Sequence, residues 1–250
     1  MFSFGSGVLL GTRTDVADAT PVNFGLLQDV TIDESATTKT LIGQYQRPVA
    51  IARGSVKTTG KAKVARISGM AFASLFYGVT PVAGQVATMI GEGPSAIPTT
   101  PFQVTAVNTA TFVEDMGVIN ATTGLPFKKV PTASTPVAGE YKVSAAGVYT
   151  FSSADNVSGV TVLLNYTYTI AGTGQKFTVS NQLLGTTPTF SAKFYTTFQG
   201  KPLSLQLNQC VASKFTFKTA LEDFVMPEFD FECFADAANN VMTWSFGEVS

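Results

Sequence analysis

The chain has 250 residues, of which 45% are hydrophobic, and its formal net charge at pH 7 is −1. Charged residues make up 13% and histidine is absent, whereas charged residues usually contribute about 25%. The missing histidine removes the commonest general base and metal ligand, which disfavours hydrolytic and zinc chemistry but leaves carboxylate chemistry open. A surface so poor in charge indicates that partners cover much of it, although Thr and Ser side chains could also solvate it.

The N-terminal sequence MFSFGSGVLLGTRT lacks the basic segment and the long apolar segment of a secretory signal. No apolar run reaches the roughly 18 residues that a membrane helix needs. We therefore expect a protein that is made in the cytoplasm, has no membrane partner, and is either soluble or self-assembling.

Residues 42–69 form a basic, strand-like segment, IGQYQRPVAIARGSVKTTGKAKVARISG. It contains six of the chain's 16 basic residues, and no acidic residue occurs between Glu34 and Glu92. The six are Arg47, Arg53, Lys57, Lys61, Lys63 and Arg66. The three lysines would share one face of a strand, an arrangement that could bind nucleic acid. The pI near 5.5 and the lack of aromatic residues between Tyr45 and Phe72 argue against that function.

A helix is predicted directly after this segment. Ser68 can cap the sequence GMAFASLFYG, in which Met70, Leu75 and Phe76 give an apolar face and Gly78 gives the C-terminal stop. A second, shorter helical turn is possible at residues 219–226, ahead of a proline.

The second half of the chain has period-two patterns that predict short strands, and these are typical of a β-sandwich or barrel. The predicted strands are residues 160–170, 176–182, 189–198, 202–209 and 213–219. The sequence GTGQK at 172–176 has the glycine spacing of part of a phosphate-binding loop. Because no Gly-Lys-Ser/Thr follows, we interpret it as the turn of a hairpin.

The C-terminal segment is acidic: residues 219–250 contain seven Asp or Glu residues and no Lys or Arg. Within it, EFDFEC alternates, so that Glu228, Asp230 and Glu232 face one side of a strand. The sequences DAANN and VMTWSF that follow predict a turn and a partner strand, which together would make a hairpin.

A row of three carboxylates could bind a metal ion or supply an acid–base pair. Successive acids on one flat strand do not form a calcium cage, however, so we favour a solvated or channel-facing row, and we expect no catalytic residue, cofactor or metal. Cys210 and Cys233 lie in predicted strands, where they could be buried free thiols or a single bridge.

The basic segment and the acidic hairpin are complementary surfaces. Within one subunit they would form a surface ion network of little energetic value. Between subunits they would give a head-to-tail contact that closes into a ring or continues as a filament. Composition does not choose between these alternatives.

Three stretches give the chain a resemblance to the major tail tube proteins of long-tailed (siphovirus- or myovirus-like) bacteriophages. The first is residues 24–78, from FGLLQDVTIDES to the predicted helix. The second is AGEYKVSAAGVYTFSSADNVSGVTVLLNYTYT at 138–169. The third is 181–246, with its NQLLGTTPTF turn and its PEFDFECFAD strand. Residues 79–137 match least well, and their GEGPSAIPTTP sequence suggests an inserted loop or small β subdomain.

The resemblance implies a mainly β fold, a tail-tube-type sandwich or barrel with one flanking helix and a long charged hairpin. Residues 1–78 and 138–250 would form the tube-forming core around the insertion. The subunit would assemble with itself into stacked hexameric rings in the virion tail. Its other partners would be the tape-measure protein, the tail terminator, the distal tail proteins and passing double-stranded DNA, bound without specificity. A capsid decoration protein, adhesin or pilus-like module is the alternative, and an enzyme or carbohydrate-binding domain ranks third.

The resemblance implies that residues 44–66 form a hairpin, which would reach a neighbouring subunit or ring through its six basic side chains. The acidic counterparts, or the lining of the channel, would be Asp29, Asp33, Glu34, Glu228, Asp230 and Glu232. A carboxylate-lined channel would repel DNA phosphates and let the genome slide through.

Overall fold

A computed structural model describes residues 5–66, 68–219, 221, 224 and 226–247. The protein is mainly β, with 56% of residues in strands and 7% in helical segments, which confirms the predicted class. The strands are β1 (Val8–Arg13), β2 (Val22–Asn23), β3 (Leu27–Ile42), β4 (Pro48–Val64), β5 (Val82–Ala96), β6 (Gln103–Thr105), β7 (Phe112–Asn120), β8 (Lys128–Lys129), β9 (Glu140–Val143), β10 (Val148–Phe151), β11 (Thr161–Lys176), β12 (Thr189–Phe198), β13 (Lys201–Thr216), β14 (Glu228–Phe234) and β15 (Met242–Phe246). The helical segments are α1 (Gly69–Ala71), a π-helical turn (Phe72–Phe76), a 3-10 turn (Thr109–Thr111) and α2 (Ser153–Val157). No helix within the described ranges is long and apolar enough to cross a membrane.

The chain divides into two compact units. The first comprises Met1–Pro81 and Phe177–Ser250, and the second comprises Val82–Lys176. The second unit is longer than the predicted insertion at 79–137, and it includes residues 138–176, which the sequence prediction places in the core. The reason is strand pairing, because β9 and β10 join a sheet with β6 and β8, and β11 lies between β5 and β7.

The first unit contains one antiparallel sheet with the strand order β2-β1-β12-β13-β14-β4-β3, and β15 also pairs with β13. The Ser6 hydroxyl, two residues before β1, donates a hydrogen bond to the Leu27 carbonyl of β3 at 2.7 Å, so strands from the two ends of this order approach each other. The tail-tube type of sandwich or barrel stays a prediction. β3 lies at one end of the strand order and the two-residue β2 at the other. The long strand β4 lies between β3 and β14 and therefore links the hairpin to the rest of the sheet.

One face of this sheet carries the core of the first unit, and the helical segment packs on it. Leu75 is fully buried in the same cluster as Leu9, Phe190 and Phe231. Gly11 on β1 is required directly beneath this helix, because a Cβ atom there would overlap the Leu75 side chain.

The predicted helix and both of its end signals are confirmed. The Ser68 Oγ accepts a hydrogen bond from the Ala71 amide at 3.3 Å, which caps the first turn. Gly78 has a φ of +67°, the left-handed conformation that terminates helices. Most of the helix, Phe72–Phe76, is π-helical, however, and the sequence pattern does not indicate this.

The predicted C-terminal hairpin is wrong, although both of its strands exist. Strands β14 and β15 do not pair with each other: β14 pairs with residues 209–216 of β13, and β15 pairs with residues 203–207 of the same strand. They therefore lie end to end along one side of β13. Asp236 organises the loop between them by accepting hydrogen bonds from the amides of Ala238 and Asn240, both at 2.9 Å.

Other strand predictions have mixed outcomes. The strand at 189–198 is confirmed as β12, and the predicted strands at 202–209 and 213–219 belong to the single strand β13, which ends at Thr216. Residues 177–182 are not a strand. The predicted hairpin turn at 172–176 is wrong, because these residues belong to β11, with an irregularity between the pairs Ile170–Gln85 and Gln175–Ala83. The possible helical turn at 219–226 lies largely outside the described residues.

The second unit has a three-stranded sheet, β5-β11-β7, and a four-stranded sheet, β6-β10-β9-β8. Both contribute to one core, in which Tyr141, Tyr149 and Tyr166 are almost completely buried. The Tyr141 hydroxyl donates a hydrogen bond to Asp115 at 2.8 Å. This carboxylate is also paired with Lys129 at 2.9 Å.

Gly60 of β4 provides a test of the first core. The Phe231 ring lies against Gly60, and a Cβ atom there would overlap the ring. We expect Gly60→Ala to lower the free energy of unfolding by about 1–3 kcal/mol through overpacking, as measured by urea denaturation. The matched control is Thr59→Ala, one residue away on the outward face, which should change it by less than about 0.5 kcal/mol. Equal effects from the two variants would contradict the proposed packing.

Candidate self-assembly surface

The outward face of strands β3, β4 and β14 carries a regular arrangement of charge, called here the charge ladder. Its members are Asp29, Asp33, Lys57, Lys61, Lys63, Glu228, Asp230 and Glu232. In the sheet register Lys63 lies between Asp29 and Glu228, and Lys61 lies beside Asp230. Because Thr58, Gly60 and Ala62 alternate with these residues on the core side, the period-two pattern places the charged side chains outward.

Ion pairs connect the two sides of the ladder within the same chain. The Lys61 Nζ lies 2.6 Å from a carboxylate oxygen of Glu228, and the Lys63 Nζ lies 3.7 Å from the other oxygen. Lys57 pairs with Glu232 at 2.7 Å. The hydrogen bond from Lys61 lowers the pKa of the Glu228 carboxyl and raises the pKa of the Lys61 ammonium. All five side chains retain substantial exposure, so each pair contributes little to stability.

The structure shows where the six basic residues that were predicted to contact a neighbouring subunit lie. Four of the six basic residues, Arg53, Lys57, Lys61 and Lys63, pair with acids of their own chain, and the Arg53 partner is Glu34 at 2.9 Å. This corresponds to the within-subunit alternative. A contact of the basic or acidic residues with a second subunit, and a channel-lining role for the acids, stay predictions. Arg47 lies in the exposed turn between β3 and β4, and Arg66 follows β4.

The distal half of the β3–β4 hairpin is a second feature of this surface. Every residue from Asp33 to Lys57 is exposed, so this part has no packing on either face. An isolated two-stranded hairpin is at best marginally stable in water, and three or more strands or a packing partner are normally needed. Ten residues of β4 lie in this part, so it extends over roughly 30 Å.

The end of this hairpin is apolar rather than charged. We call it the apolar tip, and its large exposed side chains are Leu41, Ile42, Tyr45, Val49 and Ile51. Each of them has between 64% and 73% of its surface exposed. A concentration of large apolar side chains with this exposure is typical of an interaction site.

A second apolar surface lies at the opposite end of the same sheet. It consists of residues 177–188 together with the described residues 217–219, 221, 224 and 226–227, and we call it the loop end. Leu183 and Leu184 are 87% and 104% exposed, and Leu221 and Phe224 are 99% and 93% exposed. Exposure of this kind depends on which surfaces the rest of the fold covers, so the local sequence did not predict it.

The strand register shows that the apolar tip and the loop end are at opposite ends of the sheet. Residues 217–219 directly follow β13, whose last residue, Thr216, is paired with Glu228, and Glu228 is paired with Lys63. Residues 177–188 lead into β12, whose first residue, Thr189, is paired with Val211 in the second half of β13. From Lys63 back to Thr58, β4 runs towards the other end of β14. Its distal half therefore extends away from the loop end.

The described residues contain no group of three or more His, Cys, Asp or Glu side chains placed to hold a metal ion. No family model matches this chain, and a search of curated proteins found no match either.

Replacement of Glu228 by Gln tests the charge ladder. A carboxyl with a lowered folded-state pKa adds stability above its unfolded pKa, near 4.5, and this stability is lost as the pH falls through the folded value. We therefore expect Glu228→Gln to cause a small loss of stability at pH 7 that disappears at low pH, as measured by urea denaturation across the pH range. In a Lys61→Met background the effect at pH 7 should shrink, and an unchanged effect would contradict the pairing.

Proposed function

We propose that this protein is a self-assembling structural subunit, and specifically a tail tube subunit of a long-tailed bacteriophage. The observation that carries self-assembly is the distal hairpin, which is exposed on both faces from Asp33 to Lys57 and ends in the apolar tip. A second copy that packs on this hairpin would supply the missing stabilising contacts.

The positions of the two apolar surfaces favour a particular kind of contact. Because the apolar tip and the loop end lie at opposite ends of one sheet, contact between them joins different surfaces of two copies. Such a heterologous contact forms a ring if the rotation closes, and a helical filament if it does not. In the proposed tube, the hairpin of one copy packs on the loop end of the next.

The low charge content agrees with a surface that is largely covered after assembly. Charged residues are 13% of the chain, and within the first unit many of them are paired with each other in the charge ladder. The hexameric state, the partners in the tail and the passage of DNA rest on the resemblance to tail tube proteins. Carboxylates of the ladder that face the channel would keep DNA phosphates from binding.

The second unit favours a different candidate function. It has its own two sheets and its own core, as expected for a displayed module of a capsid decoration protein or an adhesin. This alternative explains the second unit but leaves the exposed hairpin of the first unit without a function.

Electron microscopy of the purified protein over a range of concentrations and salt tests the proposal. We expect rings or hollow tubes of uniform width at high protein concentration. Apolar contacts strengthen in sulfate, so assembly should increase with ammonium sulfate. Particles that remain monomeric in every condition, and that also fail to add to preformed tails, would contradict the proposal.

Two substitutions in the apolar tip test the role of the hairpin. Leu41→Thr with Ile51→Thr removes two large apolar side chains and places at both positions a β-branched residue that suits a strand. Burial of each side chain contributes about 1.5–3 kcal/mol, so the concentration required for assembly should rise at least about tenfold. Sedimentation velocity measures this concentration.

The matched control substitutes two similarly exposed apolar residues of the second unit, Val107→Thr and Leu125→Thr. Their exposed fractions are 78% and 66%, and their substitution should leave assembly unchanged. Equal assembly by the tip variant and the wild type, with both folded by circular dichroism, would show that the tip is not the contact.

A further inference from the structure

Cys210 and Cys233 are direct cross-strand partners on β13 and β14. Both are free thiols, and their sulfur atoms lie 3.4 Å apart, within hydrogen-bonding distance. Directly opposed residues of antiparallel strands have Cβ atoms about 4.5–5.5 Å apart, which overlaps the upper end of the range found in disulfides, about 3.5–4.5 Å. Formation of a bond requires the sulfurs to approach by roughly 1.3 Å, which small changes in side-chain torsion can provide.

The two thiols have different environments. Cys210 is completely buried in the core of the first unit, whereas Cys233 is half-buried. Cys233 also lies where β4 leaves the sheet, because Thr58 is the last residue of β4 that pairs with β14. An oxidant in solution can therefore reach Cys233 before it reaches Cys210.

The contact between the two thiols also shifts their pKa values in opposite directions, so the thiols differ in reactivity. The contact with Cys210 lowers the pKa of the Cys233 thiol, whereas the same contact, together with burial, raises the pKa of the Cys210 thiol. The thiolate is the nucleophile in disulfide exchange. Cys233 is therefore the attacking thiol, and Cys210 is placed to resolve the intermediate.

We propose that Cys210 and Cys233 are a site of oxidative modification, at which a low-molecular-weight disulfide such as oxidised glutathione converts them to an intrachain disulfide. This proposal stands on the geometry of the first unit alone and does not depend on the assembly function.

The reaction proceeds in two exchange steps. The Cys233 thiolate attacks one sulfur of oxidised glutathione, which forms a mixed disulfide and releases one glutathione thiolate. Cys210 then loses its proton to solvent and attacks the Cys233 Sγ, which releases the second glutathione thiolate. The two protein thiols lose two electrons and two protons, and the small disulfide is reduced to two thiols once its thiolates are protonated.

The disulfide would connect two neighbouring strands across the intervening residues 211–232. This stretch includes the loop at 217–227, which connects β13 to β14. A crosslink across such a loop restricts the unfolded chain and stabilises the folded one. For the first unit we expect a rise in melting temperature of roughly 5 °C or more.

The experiment uses the full-length wild-type protein, incubated in reduced or in oxidised glutathione, then quenched in acid and alkylated under denaturing conditions. After oxidation we expect an intact mass lower by about 2 Da, from loss of two hydrogen atoms, and no alkylation. Proteolytic digestion without reductant should yield one linked pair of peptides that contain Cys210 and Cys233. The melting temperature should rise, and a reductant should reverse the change.

Cys233→Ser is the matched control, because Cys233 is half-buried and serine is similar in size. The variant should show neither the mass loss nor the shift in melting temperature. Three results with the wild-type protein would each overturn the proposal: two thiols that remain alkylatable, a stable glutathione adduct on Cys233, or a disulfide between chains. The mass measurement on the wild type decides the matter even if the variant does not fold.

Discussion

The pairing of β4 with β14 is the interaction on which the rest of the first unit depends. From Thr58 to Val64, β4 has β3 on one side and β14 on the other, so its inward side chains reach the core. Gly60 makes room there for the Phe231 ring. The residues of β4 that precede Thr58 pair with β3 but not with β14, and their side chains are exposed. The C-terminal part of β4 therefore anchors the hairpin in the sheet, and the N-terminal part of the same strand lies in the exposed, distal half of the hairpin.

The elements predicted correctly from sequence are those that short-range chemistry determines. The strand at 189–198 is bounded by a proline-containing turn and a glycine, and the helix after Ser68 has a capping hydroxyl and a terminal glycine. The alternation of EFDFEC places Phe229 and Phe231 inward and the acids outward. In each case, side-chain periodicity or a cap is sufficient to define the element.

The elements predicted wrongly depend on long-range pairing, which periodicity does not contain. Two strands separated by a short polar loop look like a hairpin, yet β14 and β15 both pair with β13. Asn208 of β13 donates a hydrogen bond to Asp236 at 2.8 Å, so a residue distant in sequence holds the loop in its place. The C-terminal boundary of the second unit has the same cause, because the unit ends with β11 and β11 pairs with β5 and β7. The sequence prediction placed Leu183 and Leu184 in a turn but did not predict their exposure, because a turn sequence does not show which side chains the rest of the fold covers.

The location of the charge changes how self-association should be understood. The sequence separates basic and acidic segments widely and leaves open whether they meet within one subunit or between subunits. Folding instead brings them together on adjacent strands, so Lys57, Lys61 and Lys63 already have partners in their own chain. A second copy that engaged these lysines would have to break existing pairs, and the net gain would be small. The apolar side chains of the tip have no such competing partner among the described residues, so the free energy available for association lies in them. The backbone pairing of β4 with β14, together with the packing of Phe231 against Gly60, fixes the direction in which the tip points.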